Sequence, residues 1–173
     1  MTISRDEDGS LTSTISTDPL PEIQTVWHEA RVNVLSLKKK ECLRSGVHGV
    51  EYNGEPAIAK IACFKWDIAR IEHKTWVYSI LARHQSQHPN ESPIAPEFLG
   101  HLTENRRVME FLLRRFKGEP ACVKGLASCE ILVRRLHLLG LIHGDLNRYN
   151  FVVDRNSGTG MRLIDFEHVE QFN

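Results

Sequence analysis

At 173 residues the chain is long enough for one domain with a substantial core, yet short for an enzyme of two full lobes. Lysine and arginine balance aspartate and glutamate at 22 each, so no overall field favours nucleic acid or an anionic membrane surface as a partner. Cys42, Cys63, Cys122 and Cys129 form no C-x-x-C pair and read as reduced thiols of an intracellular, cytoplasmic or nuclear protein. No apolar run approaches the ~20 residues of a membrane span.

Residues 1–21 offer almost nothing to bury, end in Pro19-Leu20-Pro21, and are expected to form a disordered tail. A single domain is expected over residues 22–173. Glu41–Arg44, Val47–Tyr52 and Pro56–Cys63 read as three antiparallel strands. The second and third are joined by Asn53-Gly54, a strong two-residue hairpin signal. Lys60 sits inside the apolar run Ala57-Ile58-Ala59-Lys60-Ile61-Ala62, where an unpaired ammonium costs several kcal/mol. It needs either an acidic partner or a strand face open to solvent.

Asp67–Arg83 has the spacing of an amphipathic helix, with Ile68, Ile71, Tyr78 and Leu81 on one stripe and Glu72 at its margin. His84–Pro93 reads as a polar loop, and His84 and His88 show no companion ligands along the sequence. Phe98–Leu102 and Arg107–Leu112 are two further strands. Ala121–Leu139 is the clearest helix, with Leu126, Ile131, Leu132, Leu136 and Leu139 as its apolar face and Gly140 as its stop.

The last stretch carries the chemistry. His143-Gly144-Asp145 is followed five residues on by Asn150, then by Phe151–Val153, a turn over Asp154–Gly160, Met161–Ile164, and Asp165. Two short strands around such a turn form a hairpin. It brings Asn150 and Asp165 to one end, beside the loop of Asp145. Three oxygen-bearing side chains on adjacent loops suit a hard divalent cation such as magnesium.

His143-Gly144-Asp145 with Asn150 and Ile164-Asp165-Phe166 resembles the catalytic and metal-binding loops of the protein-kinase-like superfamily. The His-Gly-Asp form is nearest to the aminoglycoside and choline phosphotransferase branch, and small atypical kinases of the Bud and RIO types carry similar loops. The resemblance covers roughly residues 40–167. It implies an α+β, two-lobed fold: a small antiparallel N-lobe with one helix over about 32–112, and a truncated helical C-lobe over about 113–173. It implies an ATP- and magnesium-dependent phosphotransferase acting on a hydroxyl of a small molecule or protein; the sequence itself indicates neither a nucleic-acid nor a membrane partner. Asp145 would then orient or deprotonate the acceptor hydroxyl, assisted by Asn150, while Asn150 and Asp165 would hold magnesium. Lys60 paired with Glu72 would grip the phosphates, and Gly46 and Gly49 would remain of a phosphate loop. Backbone groups of Glu110 and Leu112 would meet the adenine, and His143 would fix its loop.

Departures from that pattern keep a second expectation open, a pseudokinase or binding module without catalysis. Glu167 stands where the family has glycine, and Gly144 where regulated protein kinases have arginine. Asn147 replaces a phosphate-contacting lysine, and Asn173 lies eight residues past Asp165. A rival from another class is a two-histidine, one-carboxylate iron site built from His143, Asp145 and His168.

Overall fold

Alternating apolar runs and turn residues build one large sheet, which carries most of the longer strands. The computed structural model describes residues 2–14, 21–62, 64–154 and 160–172. The strands and helices follow in chain order as β1 (Thr2–Arg5), β2 (Leu11–Thr14), β3 (Arg31–Asn33), β4 (Lys38–Arg44), β5 (Val47–Tyr52), β6 (Glu55–Lys60) and α1 (Asp67–Gln87). Beyond α1 come β7 (Phe98–Glu104), β8 (Arg107–Arg114), β9 (Glu119–Pro120) and α2 (Leu126–Leu138). The short strands β10 (Leu141–Ile142), β11 (Phe151–Val153), β12 (Met161–Leu163) and β13 (Glu170–Gln171) complete the described chain.

The fold is mixed α+β. A six-stranded sheet has the order β3-β7-β8-β6-β5-β4, antiparallel throughout except for the β3–β7 pair. The Asn53-Gly54 turn takes the positive backbone angles, φ 51° and 80°, that a tight hairpin turn requires. Two smaller sheets, β12-β11-β9 and β10-β13, accompany α2. The third expected strand stops at Lys60, and Cys63 lies outside the described residues.

One apolar core joins the two parts. Tyr78 of α1 meets Phe111 of β8 and Phe166 of the last loop at ring-centroid distances of 5.6 and 5.4 Å. Phe166 is fully buried, so the loop that follows β12 is nailed to the back of α1. Burial of a side chain of this size stabilises by about 1.5–3 kcal/mol.

Three expectations are corrected. The segment expected as a disordered tail contains the β1–β2 hairpin, registered Thr2 to Thr14, because Asp6, Asp8 and Gly9 supply a tight polar turn; residues 15–20 lie outside the described part. The apolar face of α2 is narrower than expected: Cys129, Leu132 and Leu136 are buried, whereas Leu126 and Ile131 are exposed. His84 belongs to α1, which runs to Gln87 before the chain leaves the helix at His88. No helix among the described residues is long and apolar enough to cross a membrane.

Candidate active site

The hairpin of β11 and β12, in register from Phe151–Leu163 to Val153–Met161, sets Asn150 and Asp165 at its open end. The Ile164 amide donates to the Asn150 carbonyl at 2.9 Å. Of the turn expected over Asp154–Gly160, residues 155–159 lie outside the described part. His143 is fully buried, and its Nε2 donates to the Ile164 carbonyl at 3.0 Å. It therefore clamps the loop of Asp145 to the residue before Asp165, as expected of a loop-fixing histidine.

Gly144 is dictated by space as well as by conformation. Its φ is 76°, and a Cβ there would lie 2.1 Å from the His168 carbonyl oxygen. No side chain, arginine included, fits at that point. One residue on, Asp145 is exposed and hydrogen-bonded. Its carboxylate accepts from Asn147 Nδ2 at 3.2 Å and from Asn150 Nδ2 at 3.2 Å, while its carbonyl accepts from Asn150 Nδ2 at 2.8 Å. The amide nitrogen of buried Asn150 is thus committed to Asp145, which leaves Oδ1 as its acceptor.

Asp165 stands in the left-handed region at φ 66°, a conformation that costs a non-glycine residue on the order of 1 kcal/mol and persists where surroundings enforce it. Three cations surround its carboxylate. Lys74 Nζ lies 3.4 Å and Lys60 Nζ 4.0 Å from Asp165 Oδ1, and Arg44 Nη2 lies 3.4 Å from Oδ2. Oδ1 is buried and accepts no hydrogen bond. Burial alone would push this carboxyl up, but Lys60, Lys74 and Arg44 more than offset it and hold it below the usual aspartate range. Conversely, burial first and Lys74 second pull Lys60 down to about 8, with Asp165 opposing.

Glu167 and Asp67, the latter 3.7 Å from Arg70 Nη1, complete a cluster of three carboxylates and four cations. Lys74 Nζ lies 2.9 Å from Glu167 Oε2, and Arg70 pairs with its other oxygen. Glu167 is held low in pKa despite partial burial, by Lys74 and then Arg70. The cations of the cluster outnumber its carboxylates by one, a setting that favours a bound anion.

Two of the expected phosphate contacts are overturned. Glu72 does not pair with Lys60. Its carboxylate accepts from the Gln24 amide at 2.6 Å, from the Thr25 amide at 2.9 Å and from the Thr25 hydroxyl. The reason is helical: two residues advance the direction of a side chain by about 200°. With Lys74 turned to the cluster, Glu72 faces the crossing segment of residues 21–27. The partners of Lys60 are Asp165 and, by repulsion, Lys74. Gly49 also leaves the phosphate role. It lies within β5 opposite Glu41 and Ile58, where a Cβ would meet Glu41 Cγ at 2.8 Å under the Glu41–Arg115 ion pair. Gly46, at φ 69°, does turn the chain beside Lys60, its carbonyl accepting from the Ile61 amide at 2.7 Å.

Between β5–β6 and the β11–β12 hairpin opens a cleft of about 320 Å³, lined by Val47, Ile58, Lys60, Leu113, Asn150 and Asp165. An adjoining cavity of about 490 Å³ shares Arg44, Val47, Lys60 and Asp165 with it and reaches Gly46, Arg70 and Glu167. Together they have the size of a small-ligand site, apolar at one end and charged at the other. Glu110 and Leu112 line neither. They are buried within β8, and Glu110 borders a separate cavity with Lys39 and Arg107. The strand continues two residues beyond the expected Leu112, and Leu113 and Arg114 at its end, with Phe116 just past it, line the cleft instead. Arg148 stacks over Tyr149 at 5.1 Å.

Magnesium fits the donor set. Asp165 Oδ1 is a buried carboxylate oxygen without a hydrogen bond, and Asn150 Oδ1 is a carbonyl-type donor at the same cleft. The iron alternative is not assembled: among the described residues, His143, Asp145 and His168 form no metal-ligand group. Sequence spacing missed Lys74 and Arg70, although a lysine four residues after an arginine, on the helix face of Ile71 and Tyr78, is the signal that would have marked them. No family model matches the chain, and no curated protein matches it.

Proposed function

We propose that the chain is a kinase-like phosphotransferase that binds ATP with magnesium between a sheet-rich lobe and a smaller lobe built on α2. It would transfer the γ-phosphoryl group to a hydroxyl. The observation that carries this reading is the convergence of Asn150, Asp165 and Lys60 on one cleft, with Asp145 hydrogen-bonded to Asn150 at its edge. The apolar end, with Val47, Ile58 and Leu113, suits a flat base, and the cationic end suits its phosphates. Asn150 and Asp165 would hold magnesium, which supplies charge neutralisation on the phosphate oxygens when bound. Asp145, exposed and oriented by Asn147 and Asn150, would accept the proton of the attacking hydroxyl.

A second reading has its own observation. Lys74 and Lys60 already neutralise Asp165, so the same cleft would hold a nucleotide without metal and without transfer. Calorimetric titration with ATP, with and without magnesium, separates the two, alongside Asp145→Asn. The phosphotransferase predicts magnesium-enhanced binding and ATP turnover that Asp145→Asn abolishes while still binding. Metal-independent binding without turnover establishes the second reading, and absence of ATP binding in both conditions refutes both.

A further inference from the structure

At the far end of α1, away from the cleft, three side chains with metal-binding chemistry converge. His84 and His88, one helical turn apart, present imidazoles stacked at a centroid distance of 4.4 Å and tilted by 23°. The chain then folds back so that Glu91 joins them, and one ligand atom of each residue lies within 4.8 Å of the others. Among the described residues this is the single such group.

The surroundings prepare these ligands. His88 Nδ1 lies 3.1 Å from the His84 carbonyl oxygen, which only accepts, so Nδ1 carries the proton and Nε2 keeps its lone pair. A backbone carbonyl that fixes the tautomer from behind is the usual outer support of a metal-bound histidine. The returning loop is fastened too: Gln85 Nε2 donates to the carbonyls of His88 and Glu91, at 3.2 and 3.0 Å, and the Glu91 amide donates to the His88 carbonyl at 3.1 Å. Glu91 is oriented from outside by Arg135 of α2, 2.8 Å from its Oε2, which leaves the other oxygen as a ligand.

We infer that His84, His88 and Glu91 form a zinc-binding site, independent of the nucleotide cleft, with its remaining coordination taken by water. Two imidazole nitrogens and one carboxylate oxygen match the donors zinc prefers, and zinc imposes no electronic geometry on a partly exposed site. Bound zinc ties the end of α1 to the returning loop and, through Glu91 and Arg135, to α2.

The test is calorimetric titration of the whole chain with Zn²⁺ in millimolar magnesium, which competes for any site that prefers a hard cation. One equivalent of zinc is expected. His84→Ala and His88→Ala should each weaken it at least tenfold, and the double variant should remove it, while Cys42→Ser and Cys122→Ser leave it unchanged. Cobalt in place of zinc should give a visible spectrum that His88→Ala abolishes. Absence of zinc binding by the wild-type chain overturns the inference, as does undiminished binding by a double variant of native circular dichroism.

Discussion

Glu110 and Asp165 face the same physical problem and solve it in opposite ways. Each has a carboxylate oxygen buried without a hydrogen-bond partner, a condition that penalises the charged form. At Glu110 burial dominates, Glu104 adds to it, and Lys39 and Arg107 oppose it too weakly, so the group is pushed up to about 8. At Asp165 burial also pushes upward, but Lys60, Lys74 and Arg44 overcome it and the carboxyl stays below its ordinary range. Burial alone therefore marks neither residue as functional. The cations within 4.0 Å of Asp165 make it a permanent anion fit for charge chemistry, whereas Glu110 carries its proton at neutral pH.

Removing the anion from the cationic cluster should have the largest effect. Asp165→Asn leaves Lys60 and Lys74 short of a counter-charge, and breaking a buried pair costs about 3–5 kcal/mol. Because Asp165 is a fifth exposed, a loss of about 2–3 kcal/mol is expected in urea denaturation at pH 7. The pH sign follows from the depressed carboxyl. The wild type holds this contribution above the unfolded aspartate range, near 4, and loses it as pH falls through the lower folded value. The variant should therefore converge with the wild type in acid, and it should lose magnesium-dependent ATP binding. A variant equally less stable at pH 2 and pH 7 would show that the cations do not govern this carboxylate.

Glu110→Gln tests the other side of the comparison with the reverse sign. Between about 4.5 and about 8 the folded chain binds more protons at this position than the unfolded chain, so wild-type stability falls as pH rises across that window. The amide removes the slope and should be about 2 kcal/mol more stable than wild type at pH 9, equivalent to roughly 4–8 °C in Tm. Indistinguishable melting curves at pH 5 and pH 9 for the wild type would mean that Glu110 is not desolvated.

Lys74→Met sharpens the contrast by making Asp165 more like Glu110. With the cation nearest to its buried oxygen gone, 3.4 Å away, the Asp165 carboxyl should move up toward its ordinary range, readable by NMR titration. Magnesium should bind roughly 3- to 10-fold more tightly and metal-free ATP more weakly, the size of one Coulomb pair in a wet cleft. Tighter ATP binding without metal would contradict the cationic reading of the site.

How much of this was legible depends on the range of the interaction. The Asn53-Gly54 hairpin, α1, and the convergence of Asn150 and Asp165 rest on contacts between near neighbours in sequence, and periodicity with turn chemistry carries them. Lys60 was legible as a lysine in need of a partner, but the partner was not: it comes from Asp165, 105 residues away. The misassignment of Glu72 shows why. Residues 72 and 74 sit on nearly opposite sides of α1, and apolar spacing left Glu72 at the margin. What decides is the segment of residues 21–27, which packs across the helix and offers two free amides. Glu110 and Leu112 failed for a different reason. The resemblance puts them at the adenine, but alternation along β8 turns Leu112 to the far face with Ala57 and Ala59 and presents Leu113, opposite Ile58, to the cleft. The metal-ligand group of His84, His88 and Glu91 was hidden by taking its helix to end four residues early.

The smallest expected effect concerns Glu72 itself, and it separates structural from functional carboxylates. Glu72→Gln keeps the shape and an acceptor oxygen, but it weakens the charge-assisted bonds from the Gln24 and Thr25 amides and places an amide donor opposite one of them. Because these bonds lie at a partly exposed edge, the cost should be about 1 kcal/mol. It should appear as faster hydrogen exchange of the two amides, with ATP affinity unchanged. Lys60→Met should do the reverse, lowering ATP affinity at least tenfold while its removal from a desolvated position leaves stability within about 1 kcal/mol. If Glu72→Gln weakened ATP binding as much as Lys60→Met does, the two residues would act together on the phosphates. The crossing segment would then have to release Glu72 when nucleotide arrives.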